Sequence, residues 1–157
     1  MNRKANDFYL KTKGGWMTTT GSCMYPLLQE GSRIRVAPVE PESLEPLQLI
    51  VFEAKELVCH RLIKRIKLFS NYWFIHKGDK PAVGGVCSAD DLIGTVAEIT
   101  DKNGNKIVDT GYPEGAKKTA GLTCYFYVLM YILKRSIWGV KQNKLSRFLN
   151  AFCWRFF

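Results

Sequence analysis

The chain is expected to be mainly β, an antiparallel sheet or small barrel with a helical, basic and aromatic C-terminal appendage. Three observations predict this. Between residues 17 and 100, short apolar or alternating segments follow one another with short turns and little helical periodicity. That spacing suits antiparallel strands rather than strand–helix–strand units. After Glu114 no acidic residue occurs, while eight lysines and arginines stand among aromatic and aliphatic clusters. Between the two regions lie DKNGNK at 101–106 and GYPEGAKK at 111–118, both rich in turn-forming residues.

Taken in order, residues 1–16 are polar and read as an N-terminal arm. They contain no apolar stretch of the kind a secretory signal or membrane anchor requires. Arg33 to Val36 alternates polar and apolar side chains, as a half-buried strand does. Leu47 to Phe52, LQLIVF, is a short apolar run between Pro46 and Glu53 and fits a buried strand. Leu57 to Ile66 and Tyr72 to His76 read as two strands joined by a turn at Phe69-Ser70-Asn71. Leu92 to Ile99 is a further strand, weakened by Gly94. Residues 17–100 thus form the β core and 101–118 a linker.

Residues 119–157 are expected to be a helical basic tail. From Leu133 onward, Ile137, Val140, Leu145, Phe148, Leu149 and Phe152 recur at three- and four-residue steps, which suits an amphipathic helix. The most apolar run, Leu122 to Leu133, has 12 residues. A membrane-spanning helix needs about 20.

The net charge is +9, yet every acidic residue lies at or before Glu114, so the excess sits in the tail. A basic tail on a nearly neutral body points to an anionic partner. An anionic membrane surface contacted through 119–157 is favoured over nucleic acid, because the basic residues are interleaved with bulky apolar ones. The five cysteines, at 23, 59, 87, 124 and 153, are odd in number and widely spaced. That argues against a disulfide framework or a zinc cage and suits reduced thiols in the cytoplasm.

The chemistry centres on TTTGSCMYPLLQEG, residues 18–31. Its small residues present the Ser22 hydroxyl, which attacks an amide only when a base takes its proton. Cys23, beside it, is a weaker nucleophile candidate. The chain has two histidines, His60 and His76, and composition offers both equally as the base. Alternation in LVCHRLI puts Val58, His60 and Leu62 on one face and Cys59, Arg61 and Ile63 on the other. His60 is thereby expected to point toward a cleft floor.

Four segments carry a resemblance. Gly21-Ser22-Cys23-Met24-Tyr25-Pro26-Leu27 followed by Gly31 resembles the G-S-x-M-x-P-x-L-x-x-G box of the signal peptidase I family. His60-Arg61-Leu62-Ile63 resembles the H-R-V-[VIL] segment of its archaeal and endoplasmic-reticulum branch. Lys77-Gly78-Asp79 resembles the K-G-D of that branch's T-K-G-D-N-N box, and Ile93-Gly94-Thr95-Val96 its closing I-G-T-V strand. The four occur in the family's order over residues 20–97.

The resemblance implies a signal-peptidase and repressor-protease-like β core and a serine endopeptidase acting on a peptide or protein precursor. Ser22 would be the nucleophile, His60 the general base in place of the bacterial branch's lysine, and Asp79 the supporting acid. The Ser22 backbone N–H and the Thr20 hydroxyl would hold the oxyanion, and Met24 and Pro26 would contact substrate. No metal or cofactor is implied. The branch's second acid is missing at Ala82-Val83-Gly84-Gly85, which leaves Asp90 and Asp91 as alternatives. The family's N-terminal anchor is also missing, so the expected location is cytoplasmic, peripheral to the inner face of the membrane. Two alternatives stand beside this reading. One is a non-catalytic membrane- or partner-binding module with a relic site. The other is a self-cleaving repressor-type peptidase, which the short segment before Ser22 and the histidine at position 60 both disfavour.

Overall fold

The computed structural model describes residues 2–12, 15–80, 84–109, 128–129 and 131–133. These are mainly antiparallel β, 44% strand, in a sheet that curls into a half-barrel. Helix α1 (Arg3–Thr12) is followed by β1 (Trp16–Thr18), β2 (Arg33–Ala37), β3 (Leu49–Glu53), β4 (Leu57–Leu68) and β5 (Asn71–Lys77). Then come β6 (Gly84–Ser88), β7 (Leu92–Thr100) and β8 (Lys106–Ile107). The strand order is β1-β2-β7-β3-β4-β5-β6, with β8 added to β7.

β3 explains the apolar run Leu49–Phe52 within LQLIVF. It lies between β7 and β4 and is buried on both faces, so alternation has no polar side to record. Leu49 and Val51 enter one core cluster with Met24, Leu28, Ile34 and Ile93. Ile50 and Phe52 enter a second with Leu62, Phe74, Cys87 and Leu92. The sheet therefore separates two apolar cores.

The N-terminal arm is, over Arg3–Thr12, a helix docked on the sheet. Its periodic apolar set is only Ala5, Phe8 and Tyr9, too small to stand out among polar neighbours. The Asn2 carboxamide caps it, Oδ1 accepting from the Ala5 N–H at 2.9 Å. The same side chain's Nδ2 donates to the carbonyls of Ala89 and Leu92 at 3.0 and 2.7 Å. Ala5 and Phe8 are buried, and Lys4 pairs with Glu53 and Asp91. Gly94 is no weak point in β7: a Cβ there would meet the Ala37 carbonyl and come 2.6 Å from the Tyr9 hydroxyl. Glycine lets strand, neighbour and helix close together.

β4 changes partners along its length. Leu57–Arg61 pairs with β3 and Arg61–Leu68 with β5, with a register shift between Leu62 and Lys64. Its distal half forms a third cluster, Ile66 with Ile75, Val86 and Val128. Val128 belongs to the helical residues 128–129 and 131–133, and Tyr131 and Ile132 pack beside it. The rest of the tail expected at 119–157 lies outside the described residues. The linker begins as a β7–β8 hairpin, where Asp101 Oδ1 accepts the backbone N–H groups of Asn103 and Asn105, both at 2.8 Å. Residues 110–118 lie outside the described residues. No helix among the described residues is long and apolar enough to cross a membrane.

Candidate active site

The serine loop closes on itself at Thr19. Its N–H donates to the Ser32 carbonyl at 2.8 Å, and its carbonyl accepts the Gly31 N–H at 2.9 Å. The Thr19 hydroxyl donates to the Gln29 carbonyl at 2.7 Å. Inside this ring, Met24 and Leu28 are both 2% exposed and plug the loop into the first core. Each contributes about 1.5–3 kcal/mol of burial. Thr20, Gly21 and Ser22 remain at the surface. The box thus anchors its apolar residues and presents its hydroxyl. The expected substrate contact at Met24 is corrected accordingly: that side chain is core. Pro26 is exposed and lines a cleft of about 530 Å³ with Leu27, Glu30, Arg61, Asp79 and Asp109.

The group that meets Ser22 is Lys80. Its Nζ donates to Ser22 Oγ at 2.9 Å and stands 5.9 Å from the centre of the Tyr25 ring. The backbones hold this approach. The Lys80 N–H donates to the Cys23 carbonyl at 2.9 Å. A Cβ on Gly78 would sit 2.6 Å from that carbonyl oxygen, so glycine in the K-G-D segment lets the two loops touch.

His60 does not meet Ser22. The alternation expected in LVCHRLI holds, but with the other face toward the serine loop: Cys59 packs with Cys23 on the first core. His60 turns into the second, 4% exposed. There its Nδ1 lies 2.9 Å from Nδ1 of His76, and Phe52 stands against both rings. One imidazole donates and the other accepts, so the contact needs at least one unprotonated ring. Burial brings the His60 pKa down to about 4, against a smaller opposing pull from Asp79. Burial, then the charge of His60, holds His76 well below the usual histidine value. The candidate histidines therefore pair with each other in the apolar interior.

Asp79 does not contact His60. It clamps Arg61, which is 1% exposed: Nε donates to Oδ1 at 2.9 Å and Nη2 to Oδ2 at 3.0 Å. Arg61 Nη1 also donates to Asp109 Oδ2 at 2.9 Å and to the Leu47 carbonyl at 3.1 Å. Three segments are tied to one guanidinium directly before Lys80. Asp90 and Asp91 play no part here. Asp90 Oδ2 is 3.4 Å from Asn71 Nδ2, and Asp91 binds Lys4 and the Ser88 hydroxyl. Burial pushes the Cys23 thiol up, which disfavours the thiolate a nucleophile needs. Among the described residues no group of three or more histidines, cysteines and carboxylates could hold a metal ion.

Lys80 was legible only as a departure: it stands where the T-K-G-D-N-N box has its first asparagine. The resemblance itself makes lysine the base of the bacterial branch, which was the available signal. Comparison with protein-family models, curated proteins and solved structures returns no match. The likeness to signal peptidase I accordingly rests on the four sequence segments.

Proposed function

We propose that the chain is a serine endopeptidase of the signal-peptidase type, with Ser22 as nucleophile and Lys80 in the role expected of His60. The 2.9 Å contact between Lys80 Nζ and Ser22 Oγ carries the reading. As Oγ attacks the peptide carbonyl carbon, its proton passes to the neutral amine. The Ser22 N–H, with the Thr20 hydroxyl, receives the oxyanion, and the lysine returns the proton to the leaving nitrogen. Water then releases the acyl group. Substrate is a peptide or protein precursor, and the residues named need no metal or cofactor. The acid-free sequence after Glu114 supports a cytoplasmic site against the inner leaflet.

A lysine becomes a base through desolvation, and Ser22 and Lys80 are both exposed. The bound peptide must therefore cover the pair. That exposure, with His60 sealed in the second core, favours one second reading: a partner-binding module with a relic site.

A peptide-library cleavage assay on folded Ser22→Ala, Lys80→Met and His60→Gln variants separates the two. The first two are expected to lose cleavage, by about 10²–10⁴-fold for the base, while His60→Gln keeps it. Cleavage surviving Ser22→Ala, or lost in His60→Gln but kept in Lys80→Met, would overturn the assignment. No cleavage of any peptide by the wild type would leave the binding module.

A further inference from the structure

We infer that the tip of the β4–β5 hairpin docks the protein on an anionic lipid surface, with the Phe69 ring entering the headgroup layer. Phe69 is 79% exposed, the barest large apolar side chain among the described residues. Its φ is +56°, a left-handed conformation that glycine adopts freely and a bulky residue resists. Local preference and burial both argue against an aromatic ring there, which marks the position as serving something outside the fold.

The surroundings supply the charge. From Leu57 to Lys77 the hairpin holds no acid, and its distal half carries Lys64, Arg65 and Lys67. Arg65 and Lys67 both lie over the Tyr72 ring, at 5.8 and 5.4 Å. The acid beside the tip is Asp90, its Oδ2 3.4 Å from Asn71 Nδ2 just past the turn, one carboxylate against the three cations of the distal half. Behind the hairpin, Leu129 and Leu133 are 39% and 44% exposed. Phe69 offers one ring on which a base could stack, but Leu129 and Leu133 offer none and the Tyr72 ring is engaged by Arg65 and Lys67, so the surface fits acyl chains and anionic headgroups better than nucleic acid.

The placement has a geometric consequence. β5 runs from Asn71 to Lys77, so about 20 Å of strand separates the tip from the loop bearing Lys80. If the peptidase reading holds, the scissile bond is cut away from the bilayer plane.

The test measures binding of the full chain to vesicles of phosphatidylcholine, with and without phosphatidylserine. The wild type is expected to bind the mixed vesicles, less so as salt rises. Phe69→Gly should bind about tenfold more weakly while unfolding at no lower temperature, since glycine suits the turn. Lys67→Gln should bind about fivefold more weakly. On vesicles, hydrogen exchange should slow at residues 67–72 and not at 19–25. Unchanged affinity in both variants, protection at 19–25 instead, or RNA rather than vesicle binding lost in the variants would each overturn the inference. None of these readouts depends on cleavage, so this inference and the peptidase proposal fail separately.

Discussion

Replacing Asp79 by alanine tests whether this carboxylate supports chemistry or holds the fold. Arg61 is 1% exposed, and Asp79, 7% exposed, supplies two of its hydrogen bonds. Breaking a buried pair from one side costs about 3–5 kcal/mol, because the remaining charge has lost its solvation and its partner. Asp109 still faces the guanidinium, which puts the loss at the lower end, about 3 kcal/mol. For a chain of this size that lowers the unfolding temperature by roughly 10 °C. Asp109→Ala should cost far less, about 1 kcal/mol, since its side chain is 28% exposed and Asp79 remains. The double replacement Arg61→Met with Asp79→Leu should recover most of the loss, because the one carboxylate that then loses Arg61, Asp109, is 28% exposed and keeps part of its hydration. Thermal and urea unfolding followed by circular dichroism measure all three. An Asp79→Ala protein that unfolds like the wild type but no longer cleaves peptide would refute the reasoning and restore the supporting-acid role.

The buried imidazoles predict acid sensitivity. His60 takes up its proton near pH 4 in the folded chain and near the ordinary 6.5 when unfolded. Stability is thus complete above 6.5 and falls as pH drops toward 4, by about 3 kcal/mol, with His76 acting in the same direction. Urea midpoints on either side of that window should show the drop in the wild type and a flatter response in a His60→Leu, His76→Leu double variant; a flat wild-type profile would contradict it. Gly78→Ala places a methyl 2.6 Å from the Cys23 carbonyl oxygen and should force the Lys80 loop off Ser22. If the proposed chemistry holds, cleavage falls on the order of a hundredfold, with less stability lost than in Asp79→Ala; full activity would show that the Ser22–Lys80 contact is dispensable.

Features governed by near neighbours are legible in the sequence. The expected strands appear within a few residues of their observed ends, because alternation and turn residues report locally on the pleat. β6 escaped notice because it begins with two glycines, which carry little strand signal. β8 is two residues long. α1 was hidden because its apolar face is small and the Asn2 Nδ2 bonds that dock it on the sheet reach residues 87 and 90 positions away.

That Met24 and Leu28 anchor the serine loop in the core does not follow from the sequence alone. What does follow is that small residues present the Ser22 hydroxyl and that His60 and Arg61 face opposite ways. Which of those two faces the serine is a different kind of fact. It follows from Cys59 packing with Cys23 on one side of the sheet while His60 pairs with His76 and Phe52 on the other. A period of two specifies alternation and leaves its sign to whatever covers each face. The approach of Lys80 to Ser22, 58 positions apart, likewise exists only once two loops are closed against each other by a backbone hydrogen bond and a glycine. Tertiary packing decided which side chain stands beside the hydroxyl, because nothing within a few residues of either partner encodes that distance.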